Sequence, residues 1–206
     1  MKSRVAILGG TFDPIHNGHI GIAHNIIEKE LVNSVIYLPA AIPPHKRNQH
    51  ITNSQLRLEM IESVIDAKTA VSDYEIARPD RISFSEQTMN ELRELHPESE
   101  LYFFMGMDSL LSLHSWRNFI KFIENNQFIV YTRSGDQLPT KQQLTKNFNN
   151  RSDLAEKMIA SITELPNFDI SSTQIRLAVE HSKPINQLVP DSVAQIIKAN
   201  KLYQKH

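Results

Sequence analysis

The sequence predicts an α/β protein with a Rossmann-like doubly wound parallel sheet flanked by helices, and a small C-terminal helical portion. Short apolar runs that end at Gly or Pro alternate with stretches of helical periodicity, as in βαβ units. Unusual polar residues follow several of these runs, where open parallel sheets bind ligands. The length of 206 residues fits one domain, so we expect residues 1–206 to form a single unit.

The predicted elements follow from periodicity. Continuous apolar runs predict buried strands over residues 5–8, 35–38, 70–71, 101–105 and 127–132. Apolar residues at helical spacing predict helices over residues 18–29, 54–65, 85–95, 118–124, 152–161, 172–179 and 191–200. Ser83 or Ser85 is the expected cap of the third of these helices. The polar stretches 40–52 and 134–151 are predicted to be loops, the second with a helical start.

Composition excludes several classes of function. The chain has no cysteine, which excludes disulfides, thiolate metal sites and a cysteine nucleophile. A net charge of −1 argues against binding of a nucleic-acid polymer. The apolar runs are too short for a membrane span or a secretory signal. We therefore expect a cytoplasmic protein with no membrane partner. A homo-oligomer is compatible with the sequence, which does not define the oligomeric state.

The segment after the first strand reads GGTFDPIHNGH. Its two glycines, Gly9 and Gly10, allow a ligand to approach the backbone. His16 and His19 share one face if a helix begins near Gly18, and the free N–H groups of that helix start would attract phosphate. The order matches neither a GxGxxG motif nor a P-loop. Taken alone, the histidine pair is also compatible with a tight turn or with a metal site.

A second helix start near the C-terminus repeats this chemistry. Ser171, Ser172 and Thr173 offer hydroxyls and free N–H groups, and Arg176 lies one turn further on. An ordinary serine-capped helix with an exposed arginine is the alternative interpretation.

Two further stretches follow predicted strands. His45 and Lys46 end a proline-stiffened loop and could meet phosphate, or could simply be solvated. Asp108 follows the fourth strand, where a carboxylate can accept hydrogen bonds from ribose hydroxyls or cap a helix that starts at Ser109.

These motifs together resemble the nucleotidylyltransferase superfamily with the HxGH motif. The double glycine and His16 are similar to its nicotinate mononucleotide adenylyltransferase branch, as are PPHK at 43–46 and FFMGMDSLLSLHSW at 103–116. ISSTQIR at 170–176 resembles the superfamily's triphosphate-binding motif. The resemblance covers residues 5–203. It departs at 75–85, where the family's Gly and Pro are missing, Phe84 replaces Tyr and Ser85 replaces Thr.

The resemblance implies roles for named residues. It implies a catalytic group of His16, His19, Lys46 and Arg176. It implies ATP binding by Gly9, Gly10, Thr11, Phe12, Gly18, Gly106, Asp108, Ile170, Ser171, Ser172 and Thr173. It implies pyridine mononucleotide binding by Thr11, His45, Lys46, Ser85, Trp116, Arg117 and Arg133, with the Trp116 ring stacked on the pyridine.

The implied reaction is adenylyl transfer from ATP to nicotinate mononucleotide, which releases pyrophosphate and serves NAD biosynthesis. No residue is predicted as a metal ligand, although Asp13 is near enough in sequence to contribute to metal binding or, equally, to cap the turn. Magnesium is expected as a cofactor held mainly by ATP phosphates and water.

Three alternatives stay open on the residues alone. The chain could be another transferase of the superfamily, acting on phosphopantetheine or a polyol phosphate. It could be a non-catalytic nucleotide sensor, since fold alone does not define function. It could be a metal hydrolase that uses His16 and His19, although no convincing carboxylate partner stands at ligand spacing from them.

Overall fold

The computed structural model describes residues 2–41, 51–78, 84–133 and 135–205, in which strands and helices alternate. The strands are β1 (Ser3–Gly10), β2 (Ser34–Pro39), β3 (Thr69–Val71), β4 (Ser99–Gly106), β5 (Gln127–Thr132) and β6 (Ile162–Glu164). The helices are α1 (Asn17–Glu28), α2 (Ser54–Glu62), α3 (Ser85–Leu95), α4 (Met107–Ser112), α5 (Phe119–Asn125), α6 (Lys141–Asn147), α7 (Ser152–Ala160), α8 (Ser172–Glu180) and α9 (Asp191–Ala199). A 3₁₀ turn, Leu113–Ser115, follows α4.

The strands form one sheet in the order β3-β2-β1-β4-β5-β6, and every neighbouring pair is parallel. The chain runs outward from β1 to β3, then returns to place β4 on the other side of β1. The direction of winding therefore changes between β1 and β4, and ligands of such sheets bind at this point. The order confirms the predicted doubly wound parallel sheet.

Helices cover both faces of the sheet because successive strand side chains point to opposite sides. Val5 and Ile7 belong to a core cluster that includes buried residues of α3 to α7. Ala6 and Leu8 belong to a second cluster with α1, α2, α8 and α9. The two C-terminal helices thus pack on the same face as α1, and the start of α8 meets the turn that follows β1.

Several boundaries differ from the prediction. The cap of α3 is Phe84, which makes no side-chain capping bond, so Ser85 is not the cap; Ser83 lies outside the described residues. The fourth helix begins at Met107, with Gly106 as its cap, and not at Ser109. The predicted loop 134–151 contains α6, and β6 was not predicted. Over the described ranges, no helix is both long enough and apolar enough to cross a membrane.

Candidate active site

The carboxyl ends of β1 and β4 lie side by side at the switch point, and each carries a glycine with open space beside it. A Cβ built on Gly9 or on Gly106 meets no atom within 4 Å. A Cβ on Gly10 would lie 3.0 to 3.2 Å from the ring of Phe12. Gly9 and Gly106 thus leave the backbone accessible to a ligand, whereas Gly10 makes room for a buried ring.

Phe12 shapes the turn that follows β1. Its φ of 49° lies in the left-handed region, which is unfavourable for a bulky residue. The ring is 1% exposed and makes edge contacts with His19, at 4.9 Å between centroids, and with Tyr37, at 5.7 Å. These buried contacts stabilise the turn and place the Phe12 ring directly against His19.

His16 and His19 lie together at the start of α1, as the sequence predicts. His16 is the N-cap, and its Nδ1 accepts a weak hydrogen bond of 3.4 Å from the backbone N–H of His19. The two rings stack with their centroids 3.7 Å apart. A neutral imidazole whose Nδ1 accepts carries its proton on Nε2. His16 can therefore donate a hydrogen bond through Nε2.

Burial keeps both imidazoles neutral. It lowers the pKa of His16 from 6.5 to about 4. The pKa of His19 falls well below 6.5, first because of burial and then because of the nearby His16. Nδ1 of His19 is buried and has no hydrogen-bond partner among the described residues. A proton on Nε2 avoids a buried unpaired N–H at Nδ1, so we assign both rings the same tautomer.

The start of α8 packs onto the turn between Thr11 and His16. Ser171 caps α8 through a capping box with Gln174. Ser172 Oγ donates to the carbonyl oxygen of Pro14 at 2.9 Å. Arg176 donates from Nη1 to the carbonyl oxygen of Asp13 at 2.8 Å and from Nη2 to Thr173 Oγ1 at 3.2 Å. Arg176 and the histidine-bearing start of α1 are therefore joined through one short turn.

Phe168 fixes the approach of α8 to α1. A Cβ on Gly21 would lie 2.3 Å from the Phe168 ring, and one on Gly18 would lie 3.0 Å from His16 and 3.3 Å from Phe168. The two glycines of α1 thus allow the segment before α8 to pack directly against α1. Sequence reasoning missed both Gly21 and Phe168, because their contact joins distant parts of the chain.

Among the predicted pyridine-binding residues, Ser85, Trp116 and Arg117 lie close together. Thr11 and Arg133 lie apart from them, after β1 and after β5. The Arg117 guanidinium lies 4.5 Å from the centre of the Phe84 ring, so Trp116 and Arg117 neighbour the start of α3 at Ser85. Trp116 is half-buried and packs on Phe103 and Phe122. Both interpretations of Trp116, core residue and ring partner, are therefore compatible with its place.

Other predicted residues lie near strand ends. Asp108 is exposed in the first turn of α4, beside Gly106, and Arg133 is exposed just after β5. Ile170 is half-buried against the second core cluster. His45 and Lys46 lie outside the described residues, so their roles stay predictions.

That magnesium is held mainly by ATP phosphates and water stays a prediction. No group of three His, Asp or Glu side chains that could hold a metal occurs in the described ranges. Asp13, the nearest carboxylate in sequence, is 4% exposed. Its oxygens accept from Tyr203 Oη at 2.7 Å and from the Thr52 backbone N–H at 3.3 Å. Asp13 is therefore a structural residue of the turn.

The sheet order defines a Rossmann-like α/β protein, and His16, His19 and Arg176 lie near its switch point. The sequence model of the family described as cytidylyltransferase-like matches residues 7–178. A probable nicotinate-nucleotide adenylyltransferase of Clostridium tetani is 34% identical over 99% of this chain and 100% of its own length. One of Clostridium novyi is 36% identical over the same shares.

Solved structures agree with the fold. Nicotinic acid mononucleotide adenylyltransferase of Plasmodium falciparum, solved in complexes with APC and with NaAD, gives a TM-score of 0.74 at 19% identity. The match covers 98% of this chain and 97% of that one. This chain belongs to the cytidylyltransferase-like family, in its nicotinate-nucleotide adenylyltransferase branch.

Proposed function

We propose that this protein transfers the adenylyl group of ATP to nicotinate mononucleotide, forming nicotinate adenine dinucleotide and pyrophosphate in NAD biosynthesis. The names of the relatives support the substrate pair. One observation carries the chemistry: Arg176 and the start of α8 are hydrogen-bonded to the turn that leads into His16 and His19. In the proposal, the two helix starts hold one polyphosphate together with His16, His19 and Arg176. The prediction of a cytoplasmic location rests on the sequence alone.

The nucleophile is the 5′-phosphate of the mononucleotide, which attacks the α-phosphorus of ATP. A phosphate monoester has a second pKa near 6, so it is largely dianionic at pH 7 and needs no general base. This fits the neutral, buried state of both histidines, which act as hydrogen-bond donors. The bond from the α-phosphorus to the bridging oxygen breaks as the new P–O bond forms, and pyrophosphate leaves.

Catalysis then consists of positioning and of stabilising charge on the transferring group. Holding both reactants in line can supply on the order of 7–11 kcal/mol. In the proposal, Nε2–H of His16 and of His19 contact the phosphates around the reacting centre, while Arg176, Ser172 and Thr173 hold the β and γ phosphates. Gly9 and Gly106 allow the nucleotide to approach the protein backbone, and Asp108 accepts hydrogen bonds from the ribose hydroxyls of ATP.

Magnesium is proposed to bind the ATP phosphates and water, because the ion seldom receives an all-protein cage. When bound, it neutralises charge on the phosphates and on the leaving pyrophosphate. The described residues would contribute nitrogen donors to the same phosphates.

The proposal is tested by pyrophosphate release from ATP with three separate acceptors: nicotinate mononucleotide, nicotinamide mononucleotide and 4′-phosphopantetheine. We expect the highest kcat/KM with the nicotinate form. A preference for phosphopantetheine would place the protein in another branch of the family. Release of phosphate without any acceptor would indicate a hydrolase, and binding of ATP without turnover would indicate a sensor.

A further inference from the structure

An arginine lies buried beneath the turn that carries the phosphate site. Arg57, on α2, is 1% exposed. Its Nη1 donates to the carbonyl oxygen of Thr11 at 2.6 Å, its Nε to that of Thr52 at 3.0 Å, and its Nη2 to that of Ala41 at 3.3 Å. These carbonyls belong to the segments after β1, after β2 and before α2. One planar guanidinium therefore ties three separate segments together, which a lysine ammonium could not do with the same geometry.

A tyrosine from the C-terminal end meets the same turn. The hydroxyl of Tyr203 donates to Asp13 Oδ1 at 2.7 Å, and the Thr52 backbone N–H donates to Asp13 Oδ2 at 3.3 Å. Arg57 and Tyr203 thus hold Thr11 and Asp13, and both connections also involve the segment at Thr52. The Asp13 carbonyl in turn accepts from Arg176. A shift of the Asp13 backbone would therefore be transmitted directly to Arg176.

We propose that Arg57 and Tyr203 are positioning residues for the transfer reaction. They fix the backbone of Thr11 to Asp13, so that Arg176 and the paired histidines keep one common geometry around the phosphates. This inference rests on the proposed function, since it concerns the same site. A displacement of about 1 Å at a positioning residue can lower the rate on the order of 10²-fold, because in-line geometry is lost. Neither side chain needs to touch a substrate for this effect.

Tyr203→Phe tests the inference by removing one oxygen while it keeps the ring. We expect kcat to fall at least about 10-fold, since a hydrogen bond to a buried carboxylate is lost and Asp13 is freed to move. The KM of nicotinate mononucleotide should change less than kcat does. The matched control is Tyr102→Phe, because the Tyr102 hydroxyl bonds Glu100 near the opposite end of the sheet. The control should keep the wild-type kcat.

Arg57→Lys is the second variant and separates geometry from charge. It keeps the positive charge and loses the planar guanidinium that bonds three carbonyl groups. We therefore expect a larger fall in kcat than in Tyr203→Phe. Arg93→Lys is its control, because Arg93 also donates to a main-chain carbonyl, that of Asn125, but lies on α3 on the other face of the sheet. Circular dichroism and thermal unfolding show whether each variant is folded at the assay temperature. If Arg57→Lys does not fold, the kcat of Tyr203→Phe alone tests the positioning role.

The wild type is assayed first with ATP and nicotinate mononucleotide. An inactive wild type would count against the proposed function. An active wild type, together with a folded Tyr203→Phe that keeps kcat within about twofold, would overturn the positioning role. A purely structural role would lower the melting temperature of Tyr203→Phe and leave the kcat of the folded protein unchanged.

Discussion

Acidification should destabilise this protein through His16, which is 5% exposed in the folded state. Burial lowers its pKa from 6.5 to about 4. The unfolded chain, with a His pKa near 6.5, therefore takes up a proton before the folded protein does. The stabilising contribution of neutral His16 is complete above pH 6.5 and is lost as the pH falls from 6.5 toward 4.

The size of the effect follows from the two pKa values. Linkage gives a loss of about 3 kcal/mol once the pH is well below 4, and about 2 kcal/mol between pH 7 and pH 5. The pKa of His19 is lowered in the same direction, so titration of His19 adds to the loss.

The measurement is urea unfolding at pH 7 and at pH 5, for the wild type and for His16→Asn. Asparagine is a good N-cap and does not titrate in this range, so it preserves the start of α1 and removes the proton-binding site. Both proteins keep His19 and every other ionisable group. We expect the wild type to lose about 2 kcal/mol more than the variant does. Equal losses in the two proteins would refute the assignment of a buried neutral His16.

Four further perturbations test the proposed site and the turn beside it. His19→Ala should lower kcat at least about 100-fold and leave the protein folded, by analogy with loss of one preorganised donor; a rate near wild type would remove His19 from the mechanism. Trp116→Ala should raise KM for the pyridine nucleotide more than for ATP, and equal effects in steady-state kinetics would indicate a core residue only. Gly9→Ala should leave the free energy of unfolding unchanged and weaken ATP binding measured by calorimetry, because its Cβ enters open space. Gly10→Ala should instead cost about 1–3 kcal/mol of stability, because it overpacks the Phe12 ring, and unchanged urea unfolding would contradict this.

The sequence predicts the central part of the fold because its signals are local. The apolar runs of β1, β2, β4 and β5 are bounded by glycine, proline or polar residues within a few positions. The start of α8 has a recognisable serine cap. The capping box of α6, formed by Thr140 and Gln143, is also visible in the sequence, but the polar surroundings obscure it. β6 has only three residues and pairs at the edge of the sheet, so its pattern is too short to detect.

The supports of the site could not be predicted, because their partners are distant in sequence. Tyr203 and Asp13 are 190 residues apart, and Arg57 bonds carbonyl groups whose positions depend on the completed sheet. One signal was present: Arg57 stands at helical spacing from the buried Met60 and Ile61, on a stripe that otherwise faces the core. A charged residue on such a stripe indicates buried carbonyl or carboxylate partners.

The most direct test of the account is a crystal structure of the protein with a non-hydrolysable ATP analogue and magnesium. We predict that a single triphosphate contacts the ring nitrogens of His16 and His19 at one end and the Arg176 guanidinium with the first turn of α8 at the other. A triphosphate that touches only one of these two groups, or that binds away from the switch point between β1 and β4, would contradict the account.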